Sequence, residues 1–181
     1  PIGKAFGVIQ VQAGDHRFEV ATFRAEVGHS DGRRPDAVRF TSAEEDAQRR
    51  DFTINGLFYD PITDRCIDYV GGRDDIARRC IRAIGDPRQR FAEDYLRMLR
   101  AVRFAATLDF TLDPGTLEAI RNQASRLAQI SAERIACELN RILLNSPRPG
   151  HGIRLLESAG LLDVILPEIQ ALIGQEQPPQ F

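Results

Sequence analysis

From Phe6 to Arg24 apolar and polar side chains alternate with the period of two that belongs to strands. Phe6, Val8 and Gln10 share one face, and Phe18, Val20 and Thr22 oppose Glu19, Ala21 and Phe23. Gly14-Asp15 between the two runs is a turn signal, so the pattern predicts a β-hairpin. Residues 25–37 show no periodicity and carry Gly, Pro and charge, which predicts a mobile loop. Ser42-Ala-Glu-Glu45 has the spacing of a capping box and starts a short helix toward Arg49. A short strand is predicted from Ile62 to Tyr69, closed by Gly71-Gly72. Beyond Gly72 the pattern turns helical. Asp86-Pro87 and Asp113-Pro114 each set an N-cap carboxylate before a proline at the first helical position. Ser131 caps a third segment with Ile135, Leu139, Ile142 and Leu143 on one face, and Asn145-Ser-Pro-Arg-Pro149 interrupts the helices. No internal repeat is visible. Strands first and helices later predict an α+β chain in which a sheet-bearing piece feeds a helical one.

Composition narrows the classes further. The chain has 181 residues, 43% of them hydrophobic and 28% charged, a globular balance that excludes disorder and low complexity. No run approaches the roughly 18 apolar residues of a membrane span, and no charged-then-apolar leader opens the chain. Cys66, Cys80 and Cys137 are odd in number and far apart, which argues against a disulfide framework or a zinc site and predicts a reduced, cytoplasmic setting. Neither Pro1 nor Phe181 reads as a natural boundary, so the chain is read as part of something longer. Net charge is −2, but Lys4 is the only lysine, so arginine supplies 23 of the 24 positive charges. That bias has two readings: genomic composition, or a use for planar guanidinium groups on phosphates and base edges.

Chemistry concentrates in three clusters. Arg49-Arg50-Asp51-Phe52-Thr53-Ile54-Asn55 offers donors to phosphate oxygens and an acceptor for a sugar hydroxyl, or else a solvated helix end with an ion pair. Segment 90–105 reads as a helix on which Asp94 and Arg97, three apart, share a face. Together they match the donor and acceptor pattern of a nucleobase edge, or else form an intrahelical salt bridge worth about 0.3–0.5 kcal/mol. Arg88, Arg90, Arg97, Arg100 and Arg103 face only Glu93 and Asp94 along the chain. That local excess is a plausible landing site for a polyphosphate or an RNA backbone. The third cluster, Asp68-Tyr69-Val70-Gly71-Gly72-Arg73-Asp74-Asp75, lacks the GxxxxGK[ST] pattern and reads as a structural joint. No Ser/His/Asp or Cys/His grouping invites nucleophilic catalysis, and His16, His29 and His151 read as ordinary surface or hairpin residues.

RRDFTIN (49–55), DYVGGRDD (68–75), IRAIGDP (81–87) and RFAEDYLRMLRAVRFA (90–105), in this order, resemble the bacterial-type (class II) tRNA nucleotidyltransferase and poly(A) polymerase family of the polymerase β superfamily. The resemblance runs from about Gly3 to Glu168. It implies that Arg50, Asp51 and Asn55 hold the ribose and triphosphate of the incoming nucleotide, with Asp51 accepting from the 2′-hydroxyl. It implies that Asp94 and Arg97 pair with the base of ATP or CTP while Glu93 orients the arginine, with Arg100 also in the nucleotide site. Asp68 to Asp75 match the joint between head and neck, and Ser131 to Leu139 look like the helical element that braces the neck. Arg33, Arg34, Arg88, Arg90 and Arg103 are the candidate RNA or phosphate contacts.

In this family catalysis rests on two aspartates of a DxD strand holding Mg²⁺, an element that precedes the stretch matched here. No metal ligand is therefore assigned, and Glu26, at the end of the second strand, is the one local candidate for an accessory acid. This stretch alone is expected to bind nucleotide poorly and to catalyse nothing. The implied division is residues 1–75 as the later part of a nucleotidyltransferase head, 76–145 as a helical neck, and 146–181 as the start of a helical body with an exposed apolar face. The implied activity is Mg²⁺-dependent addition of C, A or both to the 3′ end of tRNA from CTP and ATP. The loop with Asp31-Gly-Arg-Arg-Pro-Asp36 resembles the family's flexible loop and leans toward CCA or A addition, and the opening Ile-Gly-Lys-Ala-Phe-Gly leans toward tRNA over poly(A) addition. Two alternatives stay open: a poly(A) polymerase, and a non-catalytic helical module whose arginines grip an RNA backbone.

Overall fold

A computed structural model describes residues 8–27 and 37–176, with backbone alone at 25–27, 37 and 38. Most of the predicted 25–37 loop, Phe6, His29, Arg33, Arg34 and the Glu26 side chain lie outside the described residues.

The predicted hairpin is β1 (Val8–Ala13) and β2 (His16–Ala21), closed by the two residues Gly14 and Asp15. That turn pairs Ile9 with Val20 and Val11 with Phe18. The apolar face of β1 is therefore Ile9 and Val11, opposite the Val8 and Gln10 grouping read from the alternation, because the turn sets the register. The loop prediction was too long at both ends. Its flanks form β3 (Arg24–Val27) and β4 (Ala37–Phe40), which pair antiparallel, since hydrogen bonding across a ribbon needs no apolar period. Helix α1 (Ala43–Gln48) starts where the capping box predicts, with Ser42 Oγ accepting from the Glu45 amide. A single 3-10 turn at Thr53–Asn55 leads into β5 (Leu57–Asp60). The strand predicted from Ile62 is shorter: β6 is Arg65–Asp68, and Ile62 sits 93% exposed in the turn between β5 and β6.

Gly71 and Gly72, in the segment predicted as a joint, open α2 (Gly72–Ala77). Gly71 takes a φ of 78°, and a Cβ on Gly72 would lie 2.2 Å from the Thr53 carbonyl oxygen. Asp68 accepts from the amides of Val70, Gly71, Gly72 and Arg73. Buried Asp75 then accepts from the Thr53 hydroxyl at 2.6 Å and Arg82 Nε at 2.8 Å. Strand β7 (Cys80–Ile81) follows, and Ala83 bridges Phe52.

The segment 90–105 is not one helix. Helix α3 (Pro87–Glu93), capped by Asp86, ends at Asp94, whose φ of −156° and ψ of 107° are extended. Helix α4 (Leu96–Leu108) restarts two residues later, with Asp94 Oδ1 accepting from the Leu96 amide. Asp94 therefore caps α4 as Ser and Asp side chains cap other helices, satisfying an amide that the helix leaves unpaired. Helix α4 ends at Asp109, which takes the left-handed conformation. Strand β8 (Thr111–Leu112) runs parallel to β7. Helix α5 (Pro114–Gln123) is capped by Asp113, and α6 (Ala132–Asn145) begins after Ser131, which makes no side-chain cap bond. Helices α7 (Pro149–Ser158), α8 (Leu162–Ile165) and α9 (Pro167–Gln170) complete the described chain. The chain is α+β, with small two-stranded ribbons ahead of a helical array.

Helix α4 sits at the centre. Met98, Leu99, Ala101, Val102 and Ala105 are 0% exposed, a wide apolar stripe that needs neighbours on several sides. Helices α6 and α7 pack along it, and the β7–β8 pair also lies against it. Helix α7 approaches α6 closely at Gly152, where a Cβ would meet Ile142 Cγ2 at 2.5 Å, and Ala106 of α4 lies beside the same spot. Leu156, Leu161 and Leu162, expected on an open apolar face, are fully buried in the same cluster as Phe52, Phe91 and Leu99. The face closes because α4 has more apolar surface than α6 alone can cover.

Candidate functional site

One cleft of about 590 Å³ gathers the first two sequence clusters. Arg49, Arg50, Asp51 and Asn55 reach it from the end of α1 and the 3-10 turn. Asp94, Leu96, Arg97, Arg100 and Phe104 reach it from the α3–α4 break and α4, and Arg134 comes from α6. Five guanidinium groups against two carboxylates line the space, a balance that favours an anionic guest.

Each charged group has a fixed position. Asp46, 1% exposed, accepts at Oδ1 from Arg49 Nε and Nη2 at 3.0 and 2.6 Å, and at Oδ2 from Arg50 Nε and Nη2 at 3.0 and 2.9 Å. Arg50 also donates to the Asn55 carbonyl at 3.0 Å and lies 5.1 Å from the centre of the Phe58 ring. Asp51 is buried. Its Oδ2 accepts from Arg100 Nε and Nη2 at 2.9 and 2.6 Å, and its Oδ1 accepts from the Phe52 amide and Asn55 Nδ2, both at 2.9 Å. Burial pushes the Asp51 carboxyl up, but the Arg100 charge and these hydrogen bonds outweigh it and hold the group below the ordinary carboxylate range.

The face shared by Asp94 and Arg97 on one helix does not exist, because the helix breaks between them. Nor do the two form an ion pair. Arg97 donates through Nη1 to Glu93 Oε2 and to the Arg90 carbonyl, while Asp94 Oδ2 accepts from Arg134 Nη2 at 2.7 Å. Nε and Nη2 of Arg97 have no partner among the described residues, and each Asp94 oxygen accepts only one bond. Asp94 and Arg97, both lining the cleft, therefore keep spare acceptors and donors.

The remaining arginines part company. Arg103, at 15% side-chain exposure, lies 2.8 Å from Glu138 Oε2 at an angle outside hydrogen-bond geometry, and sits 4.0 Å over the Phe104 ring. Glu138 also holds Arg141 at 2.9 Å. Arg90 is equally covered and bonds inside the protein. The basic patch counted along the chain thus loses three of its five members, Arg90, Arg100 and Arg103, to partners distant in sequence. Arg88 remains open, with 68% of its side chain exposed. Sequence reasoning missed Asp46, Phe104, Arg134 and Glu138. The i,i+4 spacing of Asp46 and Arg50 was a usable signal; Arg134 and Glu138 meet partners 35 to 40 residues away and left none.

Residues 1–82 match the family model "Poly A polymerase head domain", and residues 109–173 match "Probable RNA and SrmB- binding site of polymerase A". A CCA-adding enzyme of Bacillus velezensis is 42% identical over 177 residues, which is 97% of this chain and 43% of that protein. The chain belongs to the tRNA nucleotidyltransferase and poly(A) polymerase family. Within that family, the CCA-adding enzyme of Bacillus subtilis is 47% identical over 143 residues, 78% of this chain and 36% of its own length. The crystal structure of the Bacillus stearothermophilus CCA-adding enzyme in complex with CTP superposes with a TM-score of 0.79 at 40% identity. It covers 88% of this chain and 38% of that one. A tRNA nucleotidyltransferase complexed with a primer tRNA and an incoming ATP analog gives a TM-score of 0.74 at 26% identity, over 99% of this chain and 48% of that one. The chain thus spans less than half the length of these relatives.

Proposed function

We propose that this chain forms the nucleotide-selecting part of a template-independent nucleotidyltransferase that adds C and A from CTP and ATP to the 3′ end of tRNA. The observation that carries it is the cleft. Arg49, Arg50, Asp51 and Asn55 offer charge and hydrogen bonds for a triphosphate and ribose, and Asp94 and Arg97 keep an acceptor–donor pair open beside them. A base edge needs that pairing of groups, and a backbone-gripping module does not. In this reading Glu93 orients Arg97 through the bond they already share. Both Asp51 oxygens already accept two bonds each, so in this reading Asp51 meets the ribose hydroxyl by exchanging one of them, and exposed Arg88 contacts RNA. Relatives named as CCA-adding enzymes at 42–47% identity favour tRNA as acceptor over general RNA.

The proposed division is head over 1–75, neck over 76–145 and body from 146, and the proposed setting is the cytoplasm. No helix among the described residues is long and apolar enough to cross a membrane. Mg²⁺ is the metal the family chemistry calls for. No group of three or more His, Cys, Asp or Glu among the described residues is placed to hold an ion, so the reading draws no step through a metal on these side chains.

The test supplies the protein at its full natural length with Mg²⁺, labelled CTP or ATP, and tRNAs ending before, within and after CCA. Addition that stops at CCA is expected. Long A tails on unrelated RNA would move the assignment to poly(A) polymerase, and RNA binding without addition would leave only a binding module.

A further inference from the structure

Arg90 lies between the two sides of the cleft and touches both. Its side chain is 15% exposed, and each of its three nitrogens is engaged within the protein. Nε donates to the Ile84 carbonyl at 3.2 Å, Nη2 to the Gln48 carbonyl at 2.7 Å, and Nη1 to the Arg49 carbonyl at 3.2 Å and Glu93 Oε2 at 3.0 Å. Gln48 and Arg49 end α1, where helix carbonyls lack partners of their own, and α1 has no basic residue in its last turn. The Arg49 carbonyl belongs to the peptide that carries Arg50. On the other side, the carbonyl of Arg90 accepts from Arg97 Nη1 at 2.9 Å, and Glu93 joins Arg90 to Arg97.

We propose that Arg90 is a positioning residue: a guanidinium staple that fixes the arginine-bearing end of α1 relative to Glu93 and Arg97, and so sets base discrimination without touching RNA. The assignment deepens the proposed function and rests on it. Four hydrogen-bond acceptors in three directions match the planar fork of guanidinium, and an ammonium group cannot reach them all from one point. An RNA phosphate would have to displace these bonds from a covered group. Loss of the staple lets the two sides drift apart, and a misplacement on the ångström scale costs heavily where reacting groups must be aligned.

The test compares Arg90→Lys and Arg90→Ala with the unaltered protein at full natural length. Selection of CTP against ATP on tRNAs lacking the first C is read as a ratio of kcat/KM values. Both variants are expected to lose at least about tenfold of that ratio. The slope of log tRNA affinity against log salt is expected to stay unchanged, whereas a phosphate contact would remove about 0.7–0.9 from it. Hydrogen exchange gives a readout free of activity: amides of 49–52 and 94–98 are expected to exchange faster together in Arg90→Ala. Arg90→Lys keeps the charge and guards against a variant that merely fails to fold. Unchanged selection in an active, folded variant would overturn the staple, as would a reduced salt slope or faster exchange confined to α3. If the unaltered protein adds no nucleotide to tRNA, the functional reading falls and takes the discrimination role with it, while coupled exchange would still distinguish a mechanical tie from none.

Discussion

The bond between Asp51 and Arg100 ties the 3-10 turn to α4, and its cost of removal can be worked from its surroundings. In Arg100→Ala the Oδ2 of Asp51 loses both of its donors, while Oδ1 keeps the Phe52 amide and Asn55. A fully buried charge stripped of its partner costs about 3–5 kcal/mol. The Arg100 side chain is 32% exposed, so its removal opens a path for water and the cost falls below that range, to about 2–3 kcal/mol. Asp51→Asn leaves Arg100 partnerless but able to reach water, at about 1 kcal/mol. In the double variant no buried carboxylate is left unpaired, so its cost is expected to fall below that of Arg100→Ala alone by about 1 kcal/mol. Urea unfolding checks this: with a slope of about 2 kcal/mol/M, the Arg100→Ala midpoint drops by about 1 M and the double variant recovers part of it. A second sign follows from titration. Without the Arg100 charge the Asp51 carboxyl is held down less, so less stability is lost as it protonates, and the gap between Arg100→Ala and the unaltered protein is expected to narrow toward acid pH. An Arg100→Ala cost under about 0.5 kcal/mol, or single costs that simply add in the double variant, would refute the pairing argument.

Two further outcomes test the turn that sets α2 against the 3-10 turn at Thr53–Asn55. Asp68 is pushed up by burial but held lower overall by four backbone amides, so it stabilises the fold above its unfolded value of about 3.9 and loses that contribution as pH falls through its lower folded value; Asp68→Asn is expected to destabilise at pH 7 and to flatten the acid arm of a stability–pH profile measured by urea unfolding. Gly72→Ala drives a methyl to 2.2 Å from the Thr53 oxygen, a backbone atom that cannot swing aside, and is expected to cost about 3 kcal/mol in thermal unfolding, with a change under 0.5 kcal/mol counting against the geometry.

Local chemistry along the chain determined much of this protein. A cap carboxylate before proline starts α3 and α5, the capping box starts α1, and the paired glycines open α2, because each depends on groups within four residues of one another. The resemblance pointed to the proposed site: Arg50, Asp51, Asn55, Asp94, Arg97 and Arg100 line the cleft, while Glu93 is not among its lining residues. Partnership was not legible. Periodicity reads 90–105 as one helix, but the amide of Leu96 is capped by Asp94, and the break separates Asp94 from Arg97 and hands it to Arg134, 40 residues on. Arg90 and Arg103 look alike in sequence to Arg88. Whether a guanidinium meets solvent or a carbonyl depends on what folds over it, and only the packing of α3, α4 and α6 against α1 and each other decides that. Hydrophobic period and capping act over one or two turns, whereas charge pairing acts through space, so the first is written in the chain and the second exists only once the chain has closed on itself.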